Sequence, residues 1–173
     1  MNTSNKTKQI TLTALFAAII CITSFVFHIP TGFNGGYIHL GDTFIYIAAS
    51  ILPTPYAMIA AGLGAGLTDA LSGGALWIIP TMIIKPVMVL FFTSKNNTIL
   101  CKRNGVAVIL AGLTCWIGYY LAAAVISGSL IAPLATIFIE LLQPIASGII
   151  FILVGYALDR IKIRELISSA MAK

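Results

Sequence analysis

From Gln9 to Gly41 the chain carries no Asp, Glu, Lys or Arg, and from Thr43 to Thr68 again none. Apolar runs of that length do not alternate in and out of a soluble core. They need apolar surroundings on every side. The whole chain of 173 residues has 10 basic and 5 acidic side chains, 9% charged in all, where a soluble globule carries roughly a quarter. The bilayer is therefore the expected solvent. A membrane β-barrel would show alternating segments of about ten residues, and these runs are continuous. The fold class predicted is an all-α membrane protein, with residues 1–173 as one transmembrane domain. No small-residue cleavage site follows the first run, so it reads as a retained helix rather than a signal peptide.

Breaker residues divide the hydropathy into six helices, near Gln9–Phe27, Asp42–Leu52, Tyr56–Leu71, Ile78–Thr93, Val106–Ser127 and Leu134–Leu158, the last running on into a charged tail. Crossing the hydrocarbon takes roughly 20 residues. The second and third helices are short and are expected to tilt, or to share one bent hairpin through Pro53-Thr54-Pro55. Lys6, Lys8, Lys95, Lys102, Arg103, Arg160, Lys162, Arg164 and Lys173 all fall on one side of a six-span arrangement. The positive-inside rule makes that side, and both termini, cytoplasmic. The loops at 28–41, 72–77 and 128–133 hold no Lys or Arg and face outward. The net charge of +5 thus reflects topology, not a nucleic-acid partner.

One outer loop interrupts the apolar pattern: Asn34-Gly35-Gly36-Tyr37-Ile38-His39-Leu40-Gly41-Asp42. A polar, glycine-rich stretch in such a chain sits at a surface or lines an enclosed cavity, and it reads as a ligand-covering loop. Asn34, Tyr37 and His39 are candidates to touch a ligand, though His39 reads equally as a satisfied loop histidine. Asp42 is expected to cap the second helix. Asp69, in Gly66-Leu67-Thr68-Asp69, reads as a structural residue that bonds loop amides or caps the next turn.

Lys85 alone breaks the charge pattern, deep in the fourth helix. Burying an ammonium there costs at least about 2.5–3.5 kcal/mol, so it needs a partner or a wet cavity. Glu140 lies at a similar depth by residue count. Either the two form an ion pair that fixes packing, or one or both line a pocket, the reading favoured for charges within a membrane. Helical spacing supports the pocket: Trp77, Thr81 and Lys85 share a face, as do Trp116, Tyr119, Tyr120 and Ala123, and Glu140, Gln143 and Ser147. Aromatic walls with a few convergent polar groups suit a small molecule. The bland reading of Trp77, Tyr119 and Tyr120 is an interfacial belt or packing. Cys21, Cys101 and Cys115 have no metal or redox spacing, and no His/Cys/Asp/Glu cluster has ligand spacing, so neither metal nor cofactor is expected. Gly62 and Gly66 form a GxxxG expected to pack inside the fold. Ala14 and Ala18 form an AxxxA whose small face suits another subunit.

Size, six helices, the AxxxA, the outer loop and the Gly66-x-x-Asp69 region together resemble the substrate-binding S component of an energy-coupling factor (ECF) transporter over nearly the whole chain. NGGYIHLGD followed by an apolar helix resembles the branch associated with pyridoxine or hydroxymethylpyrimidine uptake, and relatives linked to queuosine-precursor salvage. The resemblance implies a multi-pass protein of the bacterial plasma membrane that captures a vitamin-like heterocycle under the outer loop. It implies docking through Ala14 and Ala18 onto a T component, with two cytoplasmic ATPases driving a toppling step. The pocket residues are read from the helices themselves, not transferred from a family motif. The chain has no Walker A pattern and cannot power transport alone.

An enzyme is not expected. An intramembrane protease needs a nucleophile and base within the bilayer, whereas His28 and His39 lie at its edge. A stand-alone secondary carrier is the alternative, with the Pro53–Pro55 break as its one candidate discontinuity, but no internal repeat accompanies it. For the substrate, Glu140 suits the ring N–H or amine donors of a 7-deazaguanine, and Lys85 a hydroxyl or ring nitrogen of a pyridine or pyrimidine.

Overall fold

The computed structural model describes residues 3–31 and 37–172. Its helices are α1 (Thr3–Val26), α2 (Gly41–Ile51), α3 (Thr54–Leu71), α4 (Ile78–Val89), α5 (Lys102–Ser127), α6 (Ile137–Arg160) and α7 (Ile163–Ala172). Between α1 and α2 the chain forms two short antiparallel strands, β1 (His28–Pro30) and β2 (Tyr37–His39), with His28 opposite His39 and Pro30 opposite Tyr37. The candidate loop is thus a hairpin, and its Asn34 lies outside the described residues. α1 to α6 run alternately between two ends of the bundle. The hairpin end gathers the end of α1, the start of α2 and the α3–α4 connection; the opposite end gathers the α2–α3 and α4–α5 connections and α7.

Among the described residues, three helices are long and apolar enough to cross a membrane, over Asn5–Val26, Lys102–Ser127 and Ile137–Arg160. Their outward faces are apolar, up to Phe138 at 80% and Val125 at 82% exposed, as lipid contact requires. α2 has 11 residues, about 17 Å of helix, too short to span upright. It is instead the centre of the fold: Asp42, Thr43 and Ile45 to Ser50 are all buried. Below its first turn Tyr46 stacks on Phe92 at 5.1 Å, and Phe151 meets both edge-on at 5.8 Å.

Local chemistry sets the breaks. Pro53 ends α2, and Pro55 sits in the first turn of α3, where an amide proton would have no helical partner. A 3-10 turn, Ala75–Trp77, leads into α4, which ends at Val89 rather than Thr93. α5 closes on Gly128 in the left-handed region (φ +64°), and a second 3-10 turn, Ala132–Ala135, precedes α6. The expected charged tail is helix α7, packed against α1 and α6. Gly62 and Gly66 pack against α4: a Cβ on Gly62 would lie 3.2 Å from Pro86, and one on Gly66 2.9 Å from Met82. On the other face of α3, a Cβ on Gly64 would meet the Ala17 carbonyl at 2.6 Å, so α1 and α3 touch backbone to backbone.

The end away from the hairpin is closed by side chains. Buried Asn104 accepts from the Thr93 N–H at 2.8 Å, and its amide nitrogen faces Ile99 O at 2.9 Å, Thr93 O at 3.1 Å and Ser50 Oγ at 3.1 Å. Asp159 accepts from the amides of Ile99 and Leu100 at 2.7 and 2.9 Å. Arg164 of α7 donates to the Ser50 carbonyl at 2.9 Å and to the Ser94 carbonyl.

Candidate functional site

A partly open cavity lies at the hairpin end. Its walls are aromatic: Tyr37 from β2, Trp77 from the 3-10 turn, and Trp116 and Tyr119 from α5. Each ring is held by a neighbour. Trp116 Nε1 donates to the Ile137 carbonyl at 2.8 Å, bridging α5 and α6. The Tyr119 and Thr81 hydroxyls share a hydrogen bond of 2.8 Å, and the Tyr119 ring lies 5.9 Å from that of Trp77. Tyr37 stacks on His28 at 3.9 Å and donates to Asp69 Oδ1 at 2.5 Å, which ties the hairpin to the end of α3.

The floor is a fully buried ion pair. Lys85 Nζ lies 2.6 Å from Asp42 Oδ1, both side chains at 0% exposure. Asp42 Oδ2 accepts from Gln143 Nε2 at 2.8 Å, Gln143 Oε1 accepts the His39 backbone N–H at 3.1 Å, and His39 Nδ1 accepts the Gly41 N–H at 3.1 Å. Cys115 Sγ stands 3.5 Å from both Lys85 Nζ and Asp42 Oδ2, and the ammonium sits 5.0 Å from the centre of the Tyr119 ring. The α2 charge, the α4 charge, the α6 amide and the hairpin backbone therefore form one connected network. Burial drives the His39 imidazole down to about 4, so it is neutral at pH 7 and free to accept at Nδ1. Burial, reinforced by Asp69, pushes the Tyr37 phenol far above its usual range and keeps it a donor.

Two expectations are corrected here. Lys85 pairs with Asp42, not Glu140: α4 turns Lys85 toward α2, while Glu140, in the first turn of α6, accepts from the Thr136 hydroxyl at 2.8 Å. Asp42 does not cap α2. Leu40 holds the cap position, and Asp42 stands inside the first turn, aimed at the core.

A family model for the ECF-type riboflavin transporter S component matches residues 4–160. The chain belongs to this family. No curated protein matches it. As an S component it is a multi-pass membrane protein and the substrate-binding subunit of an ECF transporter, and its family is a transporter class rather than an enzyme class. Membership implies a small-molecule substrate and an ECF T/ATPase module as partners, and so favours the subunit over the stand-alone carrier.

In this S component the expected site residues separate into layers. Tyr37, His39, Trp77, Trp116, Tyr119, Glu140 and Gln143 line the cavity. Thr81 and Lys85 stand behind Tyr119, bonded into the second layer. Tyr120 is turned away, its hydroxyl donating to the Leu130 carbonyl at 2.8 Å. Ala14 and Ala18 are exposed on α1. Sequence reasoning missed Thr31, Ile38, Asp69 and Cys115 as lining residues. Cys115 was findable, four residues before Tyr119 and hence on its face. Asp69 carried no such signal, because its place depends on where the hairpin folds back.

Proposed function

We propose that this S component captures a small, flat nitrogen heterocycle (pyridoxine, hydroxymethylpyrimidine or a 7-deazaguanine queuosine precursor) from outside the bacterial plasma membrane. The observation that carries this reading is the cavity itself: aromatic rings on three elements, with the Glu140 carboxylate and Gln143 amide converging on the same space. A planar ring stacks between such walls, and a carboxylate and an amide read its ring and exocyclic donors. The hairpin is the lid. Lys85 and Asp42 hold the floor rather than reaching the ligand, and Asn34 remains a candidate contact from the lid.

Six crossings with both termini cytoplasmic fit the fold, since Lys95, Lys102, Arg103, Arg160, Lys162 and Arg164 all belong to the end away from the hairpin. Docking onto the T component runs through the small face at Ala14 and Ala18, which the bundle leaves uncovered, and two ATPases then drive inward release. A second reading, riboflavin, rests on the description of the matching family.

The test is calorimetric titration of the purified chain in nanodiscs with each of these heterocycles, beside the mass of any ligand carried through purification. One heterocycle is expected to bind tightly, and Glu140→Ala to weaken it about 10-fold. Unchanged affinity in both Glu140→Ala and Gln143→Ala would sink the pocket assignment. Ala14→Trp is expected to leave binding intact while abolishing uptake in cells that hold the T/ATPase module.

A further inference from the structure

The charges around the cavity are unequal. Two carboxylates line it, Asp69 and Glu140, and no Lys or Arg does so among the described residues. The nearest cation, Lys85, is fully buried beneath Tyr119 and already neutralised by Asp42 at 2.6 Å. The lining histidine, His39, uses its Nδ1 as an acceptor for the Gly41 amide. Nothing on these walls therefore offers a cation to an anionic ligand.

Asp69 adds a second, independent observation. It is only 4% exposed. Its Oδ1 accepts from the Tyr37 hydroxyl, while Oδ2 is sealed from solvent with no hydrogen-bond partner among the described residues. The Thr81 hydroxyl, which shares a 2.8 Å hydrogen bond with Tyr119, also favours the Asp69 carboxylate from nearby, but among the described residues no donor meets Oδ2 with hydrogen-bond geometry. A buried carboxylate oxygen left unbonded is costly, and a donor supplied from the cavity relieves that cost. The carboxylate rotor of an aspartate is soft, so a small turn presents Oδ2 to the cavity while Tyr37 stays bonded. Ligand and lid then share one carboxylate.

We infer that Asp69 is the anchor for a donor group of the ligand, an N–H, O–H or ammonium, and that the cavity takes neutral or cationic heterocycles and rejects their phosphate esters and carboxylates. This rests on the capture reading above. An ester would bring a dianion between Asp69 and Glu140, where like charges repel. A cationic ring or amine gains from both carboxylates and from the aromatic faces. Tyr37 is a positioning residue: it aims Asp69 and closes the hairpin upon it.

The experiment is calorimetric titration of the full-length chain in lipid nanodiscs with matched pairs: pyridoxine against pyridoxine 5′-phosphate, pyridoxine against pyridoxamine, and riboflavin against its 5′-phosphate. The ester of whichever parent binds is expected to bind at least about 100-fold more weakly, and the amine to bind at least as well as the alcohol. Asp69→Asn is expected to weaken the parent about 10- to 100-fold and to narrow the gap between parent and ester. Tyr37→Phe is expected to speed ligand release with a smaller loss of affinity. An ester that binds within threefold of its parent, in the unaltered chain, overturns the inference and leaves the capture reading standing. So does parent affinity unchanged in a folded Asp69→Asn. Binding by none of these compounds, and by neither hydroxymethylpyrimidine nor a 7-deazaguanine, overturns the capture reading, and the inference with it.

Discussion

The two ends of the bundle treat buried polar groups in opposite ways. Away from the hairpin, Asn104, Asp159 and Arg164 spend their hydrogen bonds on the backbone carbonyls and amides of residues 50, 93, 94, 99 and 100 and on the Ser50 hydroxyl. Those groups belong to irregular chain or a helix end, which without partners would cost stability. At the hairpin end, polar side chains bond to one another as well as to backbone around a cavity, and one carboxylate oxygen is left over. Polar atoms that close on the backbone make a joint, whereas polar atoms left pointing at a cavity make a receptor.

The sharpest way to break that contrast is to cut the pair that underlies the receptor. Lys85→Met leaves Asp42 as an uncompensated buried charge and is expected to cost about 3–5 kcal/mol in thermal or denaturant unfolding. Adding Asp42→Asn should restore most of that loss. A double variant as unstable as the single one would mean that the pair is not the source of the effect. Asn104→Ala comes next. It strips partners from Thr93, Ile99 and Ser50 and is expected to cost about 2–3 kcal/mol while ligand affinity in the folded protein stays the same; a matching drop in affinity would show that the two ends are coupled. The smallest effect concerns acid. His39 binds its proton near 6.5 when the chain is unfolded and near 4 when folded, so the unfolded state takes up more protons between those values. Stability at the hairpin is then complete above about pH 6.5 and falls as pH drops toward 4, by about 1 kcal/mol at pH 5.5. Hydrogen exchange of the β2 amides should quicken over that window, and His39→Gln should flatten the response.

Much of the architecture was legible because it depends on one variable, hydropathy along the chain. Breakers placed α2, α3 and the start of α4 within two residues, and helical spacing brought Trp77, Trp116, Tyr119, Glu140 and Gln143 toward one cavity. What failed depended on rotation and on distant neighbours. Matching Lys85 to Glu140 by depth ignored which way each helix turns its side chain. Asp42 looked like a cap because a short acidic residue before an apolar run usually is one; the first turn of α2 instead begins one residue earlier and aims that carboxylate inward. The hairpin gave no alternating pattern long enough to read as strand, and α7 lay in what resembled a charged tail.

The contact at Gly64 has a mechanical consequence. With no Cβ on Gly64, α3 lies so close to the Ala17 carbonyl that any side chain at that position would push α1 and α3 apart. The same helix presents Ala14 and Ala18 at mid-length and runs directly into β1 at its end. α1 thus joins that small face to the hairpin through one continuous helix. Gly64 is the point at which that helix is held against the body of the bundle.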